Sequence, residues 1–180
     1  IPGGNPAILA GTLYYVRAYA INSAGTSYGT PERTFTTLCV APAATTNPAL
    51  PIGSTTATLN GTVNANGFST TVTFEWGLTT GYGTTATASQ SPVTGSINTA
   101  VSAGLTGLTP NTTYHFRVKA VNSSGTTYGS DVTFITNQLP SATTNEATNI
   151  ANNSATDNGM ANANGVSTTL TFQYGLTASY

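Results

Sequence analysis

Apolar and polar residues alternate with a period of two through most of the chain between residues 40 and 139. The apolar members occupy every second position in residues 57–63, 72–76 and 114–120. Each run predicts a β-strand with one face on a core and the other in solvent. Turn-forming pairs such as Asn66-Gly67 and Ser124-Gly125 separate the runs, and no helical periodicity is present. The pattern predicts an all-β fold, an antiparallel sandwich.

Two long stretches occur twice. The run LTPNTTYHFRVKAVNSSGTTYG at residues 108–129 has a near copy, ILAGTLYYVRAYAINSAGTSYG, at residues 8–29, and TATLNGTVNANGFSTTVTFEWGLT from Thr56 is repeated as SATDNGMANANGVSTTLTFQYGLT from Ser154. The copy of the first stretch lies on its N-terminal side, and the copy of the second lies on its C-terminal side. They predict one complete unit at residues 40–139, a C-terminal half-unit at 1–39 and an N-terminal half-unit at 140–180. We therefore expect a piece of a longer tandem array.

The run at residues 108–129 resembles the corner between strands E and F, strand F and the F–G turn of a fibronectin type III domain. The residues that match its tyrosine corner are Leu108, Pro110, Thr112 and Tyr114, and the first copy keeps Tyr14 but has Ala10 for the proline. The resemblance implies tandem immunoglobulin-like sandwiches, one complete and two half units, of the Thr-rich type found in bacterial surface and secreted proteins. It also implies that the tyrosine hydroxyl bonds to nearby backbone.

The same resemblance assigns strands to the half-units. It implies strands E, F and G in residues 1–39 and strands A, B and C in residues 140–180. The family usually has a tryptophan on strand B, whereas Trp76 falls on strand C. The core is therefore expected to pack differently in detail.

Charged residues make up only 5% of the chain and the net charge is −1. This composition lacks the basic surface that nucleic acid or an anionic membrane requires. No apolar run approaches the roughly 20 residues of a membrane-spanning helix. A surface made mainly of Thr, Ser, Asn and Gly suits an extracellular or cell-surface location, which we expect for this protein.

Residues with catalytic or metal-binding chemistry are few. His115 is the only histidine and is predicted to face solvent, and the five acidic residues are scattered singly. We therefore predict no catalytic residue, metal or cofactor, and no enzyme. Cys39 is the only cysteine. It is interpreted as a small apolar linker residue, with an intermolecular disulfide or a reactive thiol as the alternative.

Asp157 is unusual because it aligns with Leu59, a predicted core position. An unpaired carboxylate there would be costly, so either the strand is shifted or looser, or the carboxylate has a polar partner. Both half-units also have smaller core residues than the complete unit. Glu75 is predicted to face Arg117 or Lys119 across neighbouring strands, and the terminal residues that match Glu75 and Lys119 are the uncharged Gln173 and Tyr19.

The half-units are complementary, since one is predicted to have the strands that the other lacks. If two copies joined end to end, the contact would be heterologous and would form an open filament of identical chains. The positions predicted to take part are Gln173, Tyr19, Arg17 and Asp157. The sequence thus favours a structural block of an extracellular bacterial filament or surface array. The alternatives are one covalent tandem chain with neighbouring repeats, and a spacer or carbohydrate-binding accessory module of a secreted enzyme or adhesin, with polysaccharide as its ligand.

Overall fold

The computed structural model describes residues 8–178, and its regular elements are all β-strands. No helix in this part of the chain is long and apolar enough to cross a membrane. The strands are β1 (Leu13–Val16), β2 (Tyr19–Asn22), β3 (Gly25–Tyr28), β4 (Arg33–Thr36), β5 (Ala43–Asn47), β6 (Thr56–Asn64), β7 (Thr71–Gly77), β8 (Thr84–Thr87), β9 (Asn98–Thr106), β10 (Thr113–Asn122), β11 (Gly125–Tyr128), β12 (Val132–Ile135), β13 (Ser141–Thr148) and β14 (Thr156–Asn162).

The central unit is a sandwich of two antiparallel sheets. One sheet has the order β5-β6-β9, and the other has the order β11-β10-β7-β8, with β12 paired to the opposite end of β10 from β11. Strands β6, β7 and β10 are the B, C and F strands that the alternating pattern predicts. Their apolar positions face the space between the sheets, so the predicted all-β sandwich fold is confirmed.

The core lies entirely within this central unit. Phe74, Phe116, Leu59 and Val118 are fully buried there. The ring of Phe134 contacts both Tyr114 and Phe116, with centroids 5.5 and 5.9 Å apart, so aromatic side chains fill the middle of the sandwich. Trp76 is only partly buried at the edge of this cluster.

The N-terminal segment contributes no residue to the buried core within residues 8–39. Strand β1 pairs with β4 and β2 pairs with β3. The predicted F strand is split into β1 and β2 at Arg17-Ala18, whereas its counterpart β10 is continuous and pairs with β7 along residues 115–121. Because no strand C lies beside β1 and β2 among the residues that the structure describes, this part of the backbone lacks the pairing that keeps β10 extended. The predicted strand E falls mainly on residues 1–7, outside the described residues.

The C-terminal segment has one hairpin-like pair, β13 with β14. These two strands match β5 and β6 of the central unit. The sequence predicts a third strand over residues 169–175, the counterpart of β7, but the structure has no strand there. Strand β7 exists because it pairs with β10 and β8, and residues 169–175 have no such neighbours.

Successive units are connected in the same way. The side-chain amide of Asn66 donates to the carbonyl oxygen of Ala41 at 2.7 Å, and that of Asn164 donates to Leu139 at 2.6 Å. Each asparagine lies in the turn after the second strand of its unit, and each acceptor lies in the preceding linker. The repeat in sequence therefore extends to the linkers.

Candidate assembly surfaces and the charged face of the central unit

The corner that leads into β10 is held by a tyrosine hydroxyl. Tyr114 is buried, and its hydroxyl accepts a hydrogen bond from the backbone N–H of Thr109 at 3.0 Å. Leu108 is buried beside it. The hydroxyl of Thr112 donates to the carbonyl of Pro110 at 2.9 Å. These bonds fix the direction in which β10 leaves the corner.

The N-terminal segment repeats this corner without a core behind it. The Tyr14 hydroxyl accepts from the N–H of Leu9 at 2.7 Å, and Thr12 donates to the carbonyl of Ala10 at 3.1 Å. The Tyr14 ring stacks on Phe35 at 5.4 Å with an interplanar angle of 19°. Local hydrogen bonds therefore form the corner even where alanine replaces the proline.

A threonine that the sequence analysis missed ties each corner to the last strand. The hydroxyl of Thr136 donates to the carbonyl of Thr109 at 2.6 Å and accepts from the N–H of Thr112 at 3.0 Å. Thr37 makes the same two contacts with Leu9 and Thr12. The sequence feature that indicates these threonines is the Phe-x-Thr repeated at residues 35–37 and 134–136.

An ion-pair cluster covers the outer face of β7 and β10. Arg117 donates to Glu75 Oε2 from Nε at 2.9 Å and from Nη2 at 2.8 Å, and Lys119 Nζ lies 3.3 Å from Glu75 Oε1. The prediction that Glu75 faces Arg117 or Lys119 is confirmed for both. Burial alone would raise the pKa of Glu75, but the hydrogen bonds and charges of the two cations outweigh it and hold that pKa below its usual value.

Tyrosines complete this face. The guanidinium of Arg117 lies 4.1 Å from the ring centroid of Tyr128 and 4.8 Å from that of Tyr82, so it is stacked between two rings. In the N-terminal segment Arg17 lies 4.1 Å from the Tyr28 centroid, and Tyr19, which replaces Lys119, packs on the same ring. The arginine–tyrosine contact is thus common to both units.

His115 has a partner that its sequence context did not reveal. Its Nδ1 lies 2.8 Å from Asp131 Oδ2, and the hydroxyl of Tyr82 donates to Asp131 Oδ1 at 3.0 Å. Burial and this hydrogen bond raise the pKa of Tyr82. Asp131 lies between β11 and β12, and sheet pairing brings it to the edge of β10. The scattered acids predicted from the sequence are therefore not all isolated.

This geometry agrees with the comparison of the sequence with protein families. Residues 56–136 match the family model described as "Fibronectin type III domain". The central unit is a fibronectin type III-like domain. No curated protein sequence matches the chain. The prediction of this family is confirmed for the central unit, together with its β-sandwich fold.

Several solved structures are similar to parts of the chain. The short form of the sensor domain of the anti-sigma factor RsgI4 of Pseudobacteroides cellulosolvens is 26% identical, with a TM-score of 0.44 over 56% of this chain and 98% of that one. A solution structure of that sensor domain is 21% identical, with a TM-score of 0.42 over 77% and 95%. The FN1-FN3 domains of chicken CNTN1 are 18% identical, with a TM-score of 0.29 over 73% and 45%.

The N-terminal half-unit exposes the side of its sheet that a fibronectin type III-like domain buries. Val16 is 50% exposed, whereas its counterpart Phe116 in the central domain is fully buried. Ile8 is likewise exposed, and its counterpart Leu108 is buried. Val16 lies on the face of β1 that in the central domain packs on the opposite sheet, and Ile8 lies in the corner before β1. Among residues 8–39, the predicted N-terminal half-unit therefore has an uncovered core face.

The C-terminal half-unit exposes the complementary side. Phe172 is 44% and Tyr174 is 84% exposed, although their counterparts Phe74 and Trp76 belong to or pack against the core. Leu170 and Phe172 line an open cavity with β13 and β14, and Gln173 also lies on its edge. The ring of Phe172 occupies the space above Gly159, where a Cβ would be 3.2 Å from it. Among residues 140–178, this predicted half-unit also has an uncovered core face.

Asp157 lies at the edge of the same open cavity. Asn158 pairs with Asn145 as Asn60 pairs with Asn47. Up to the residue beside Asp157, β14 therefore has the same register on β13 as β6 has on β5. The prediction of a shifted strand is therefore wrong, whereas β14 is shorter than β6 and has no buried residue, as the alternative of a looser strand predicts. The Asp157 side chain is exposed because no second sheet packs on β13 and β14 in the described part of the chain.

Cys39 is exposed, with a free thiol in the linker before the central domain. Cys39 and Phe68 both lie beside Gly11. A Cβ on Gly11 would be 2.9 Å from Cys39 Sγ and 2.8 Å from the Phe68 ring. Within residues 8–178, no group of three or more His, Cys, Asp or Glu side chains is arranged to hold a metal ion.

Proposed function

We propose that this protein is a non-enzymatic structural block of an extracellular bacterial filament or surface array. In this proposal the C-terminal half-unit of one copy packs on the N-terminal half-unit of the next and completes a fibronectin type III-like sandwich. The observation that carries it is the unpaired segment at residues 169–175, which has the sequence of strand C but no strand to pair with. Strands β1 and β2 lack the neighbour that this segment would provide.

The central domain is the template for the joint. There β7 pairs with β10 so that Glu75 is opposite Arg117 and Phe74 is opposite Val118. Transferred to the half-units, the same register pairs residues 169–175 with residues 15–21 in antiparallel order. Gln173 then faces Arg17, so an uncharged amide takes the place that the Glu75 carboxylate has opposite Arg117. Strand addition of this kind supplies main-chain hydrogen bonds, and burial of the apolar faces supplies most of the free energy.

The contact is heterologous, because a different surface of each copy takes part. A heterologous contact that does not close into a ring produces an open filament. The low charge of the chain, 5% of residues, limits repulsion between successive copies. A covalent tandem array would cover the same faces with neighbouring repeats of one polypeptide.

Mass measurement distinguishes these arrangements. The 180-residue chain is expected to form particles far above 18.2 kDa in native buffer and to return to 18.2 kDa in denaturant. Electron microscopy of the native sample should show filaments. A chain that stays at 18.2 kDa at all concentrations would contradict assembly, and native material that stays above 18.2 kDa in denaturant would indicate a covalent array.

A matched pair of variants tests whether the open C-terminal face is the contact. Phe172→Asp places a charge on the core-facing side of residues 169–175 and should abolish assembly. Thr171→Asp places the same charge on the opposite side of the segment and should leave it largely intact. The only tryptophan, Trp76, lies in the central domain, so its fluorescence reports whether that domain remains folded in each variant.

A further inference from the structure

Two side chains of opposite charge occupy core-facing positions in the two half-units. They are Arg33 on β4 and Asp157 on β14. Both are exposed, and within residues 8–178 neither side chain has an ion-pair or hydrogen-bond partner. Their counterparts in the central domain, Val132 and Leu59, are apolar and contribute to the core. At these two core-facing positions, the half-units thus have one positive and one negative charge where the central domain has none.

The pairing of β1 with β4 fixes the direction of Arg33. Arg33 lies directly opposite Val16, as Val132 lies opposite Phe116. Residues directly opposite each other on antiparallel strands project to the same face. Phe35, two residues further along β4, stacks on Tyr14 as Phe134 stacks on Tyr114. Arg33 therefore lies on the uncovered core face of the N-terminal half-unit.

The hydrogen bonds of Asn158 fix the direction of Asp157. The Asn158 amide donates to the carbonyl of Glu146 at 2.9 Å and to that of Thr156 at 3.3 Å. Asn60 makes the equivalent two bonds on the outer face of β6. Because neighbouring residues of a strand project to opposite faces, Asp157 projects towards the open cavity, where Leu59 projects in the central domain.

Two contacts across the central sandwich show which residues lie at the same level. A Cβ on Gly61 would collide with Cγ2 of Val118, and Asn122 donates to the carbonyl of Ala65 at 3.4 Å. Residues 61 and 65 of the first sheet are thus level with residues 118 and 122 of the second. Counting back two residues on both strands places Leu59 level with Phe116. Val132 lies opposite Phe116 on the neighbouring strand and so belongs to the same level.

We propose that Arg33 of one copy forms an ion pair with Asp157 of the preceding copy inside the joined sandwich. This inference rests on the end-to-end assembly proposed above. In the joint, Asp157 takes the place of Leu59 and Arg33 that of Val132, within one layer of the core. Val16, smaller than Phe116, leaves room there for the arginine side chain. Tyr174, in place of Trp76, adds a hydroxyl to the same layer.

The proposed ion pair determines which half-units can join. A buried charge without a partner is strongly unfavourable, whereas replacing a whole buried ion pair by apolar residues is often neutral. Each half-unit would therefore reject a purely apolar sheet face and accept the half-unit that carries the opposite charge. This restricts joining to complementary ends and disfavours pairing of two identical half-units, which would place like charges together.

Charge reversal tests this pair in the full chain. Arg33→Asp and Asp157→Arg should each weaken end-to-end association by about 100-fold or more, measured by sedimentation as a function of concentration. An equimolar mixture of the two variant chains should assemble, because every joint then contains one aspartate and one arginine. The chain carrying both reversals should assemble alone. Glu146→Arg, which changes the net charge as Asp157→Arg does, should assemble like the wild type.

The outcomes separate this inference from the proposed function. If the wild-type chain does not assemble, the proposed function fails and the ion pair with it. If the wild type assembles and either single reversal assembles equally well, the ion pair is wrong and the joint stands. A mixture that stays unassembled, with Trp76 fluorescence showing folded central domains, also overturns the pair. Restored assembly in the mixture and in the doubly reversed chain supports it.

Discussion

Arg117 and Glu75 lie directly opposite each other on β10 and β7, and two charge-assisted hydrogen bonds of 2.9 and 2.8 Å join their side chains. Both side chains are partly shielded, at 31% and 16% exposure. Such a pair contributes more than an isolated surface ion pair because a second cation and two tyrosine rings surround it. The pair therefore links stability of the central domain to pH.

Glu75→Gln should lower the free energy of unfolding at pH 7 by about 1 kcal/mol. The pKa of Glu75 is lowered in the folded state, so its contribution is present above the unfolded pKa and disappears as pH falls through the folded one. The difference between wild type and variant should hence be constant near neutrality and shrink below about pH 4. Urea unfolding followed by Trp76 fluorescence measures it.

Glu146→Gln is the matched control for this prediction. Its side chain is exposed and makes no ion pair with any residue between 8 and 178, so its removal should leave both stability and pH dependence unchanged. A difference for Glu75→Gln that persisted unchanged at pH 3 would show that the pair is not responsible.

Much of the central domain follows from the sequence because alternation records which face of a strand is buried. The buried positions of β6 and β10 are the predicted ones, as are Val72 and Phe74 on β7, whereas Trp76 is only partly buried. Alternation does not record the neighbouring strand, and for this reason residues 169–175 have the pattern of a strand without being one. A strand requires backbone hydrogen bonds from a neighbour, which the sequence of the segment itself does not contain.

Contacts between distant parts of the chain were the least predictable. His115 and Asp131 meet because β10 pairs with β12, and no local motif joins them. The core-facing position of Arg33 does not follow from the repeat alignment with an offset of 100. Pro31-Glu32 takes the place of the single residue Asp131, so the alignment shifts by one position after it. The strand pairing of Val16 with Arg33 revealed it.

Tyr114→Phe tests the tyrosine corner. Removal of the hydroxyl leaves the N–H of Thr109 without its acceptor, so the variant should lose about 1 kcal/mol of stability in urea unfolding. Tyr14→Phe removes the equivalent hydroxyl outside the central domain and should leave the Trp76-detected transition unchanged. Equal losses in both variants would show that the two corners do not act within separate units.

Gly61→Ala tests the close packing of the two sheets. A Cβ at residue 61 would collide with Val118 and lie 2.9 Å from the carbonyl oxygen of Thr45, so we expect a loss of about 1–3 kcal/mol. Val118→Ala, which introduces the residue found at the equivalent Ala18, should recover part of that loss in the double variant. Gly104→Ala, at a strand glycine with no atom within 4 Å of its Cβ position, should change stability by less than about 0.5 kcal/mol.

The register of the proposed joint can be tested by cross-linking on its outer face. If residues 169–175 pair with β1 and β2 as β7 pairs with β10, Gln173 lies opposite Arg17, with Cβ atoms about 5 Å apart. In a Cys39→Ser background, Arg17→Cys combined with Gln173→Cys should therefore oxidise to a ladder of disulfide-linked chains on a denaturing gel. Arg17→Cys with Thr169→Cys is the matched control, because that register separates the two positions by about 13 Å along the strand. Equal ladders from the two pairs, or a ladder from the control alone, would contradict the register.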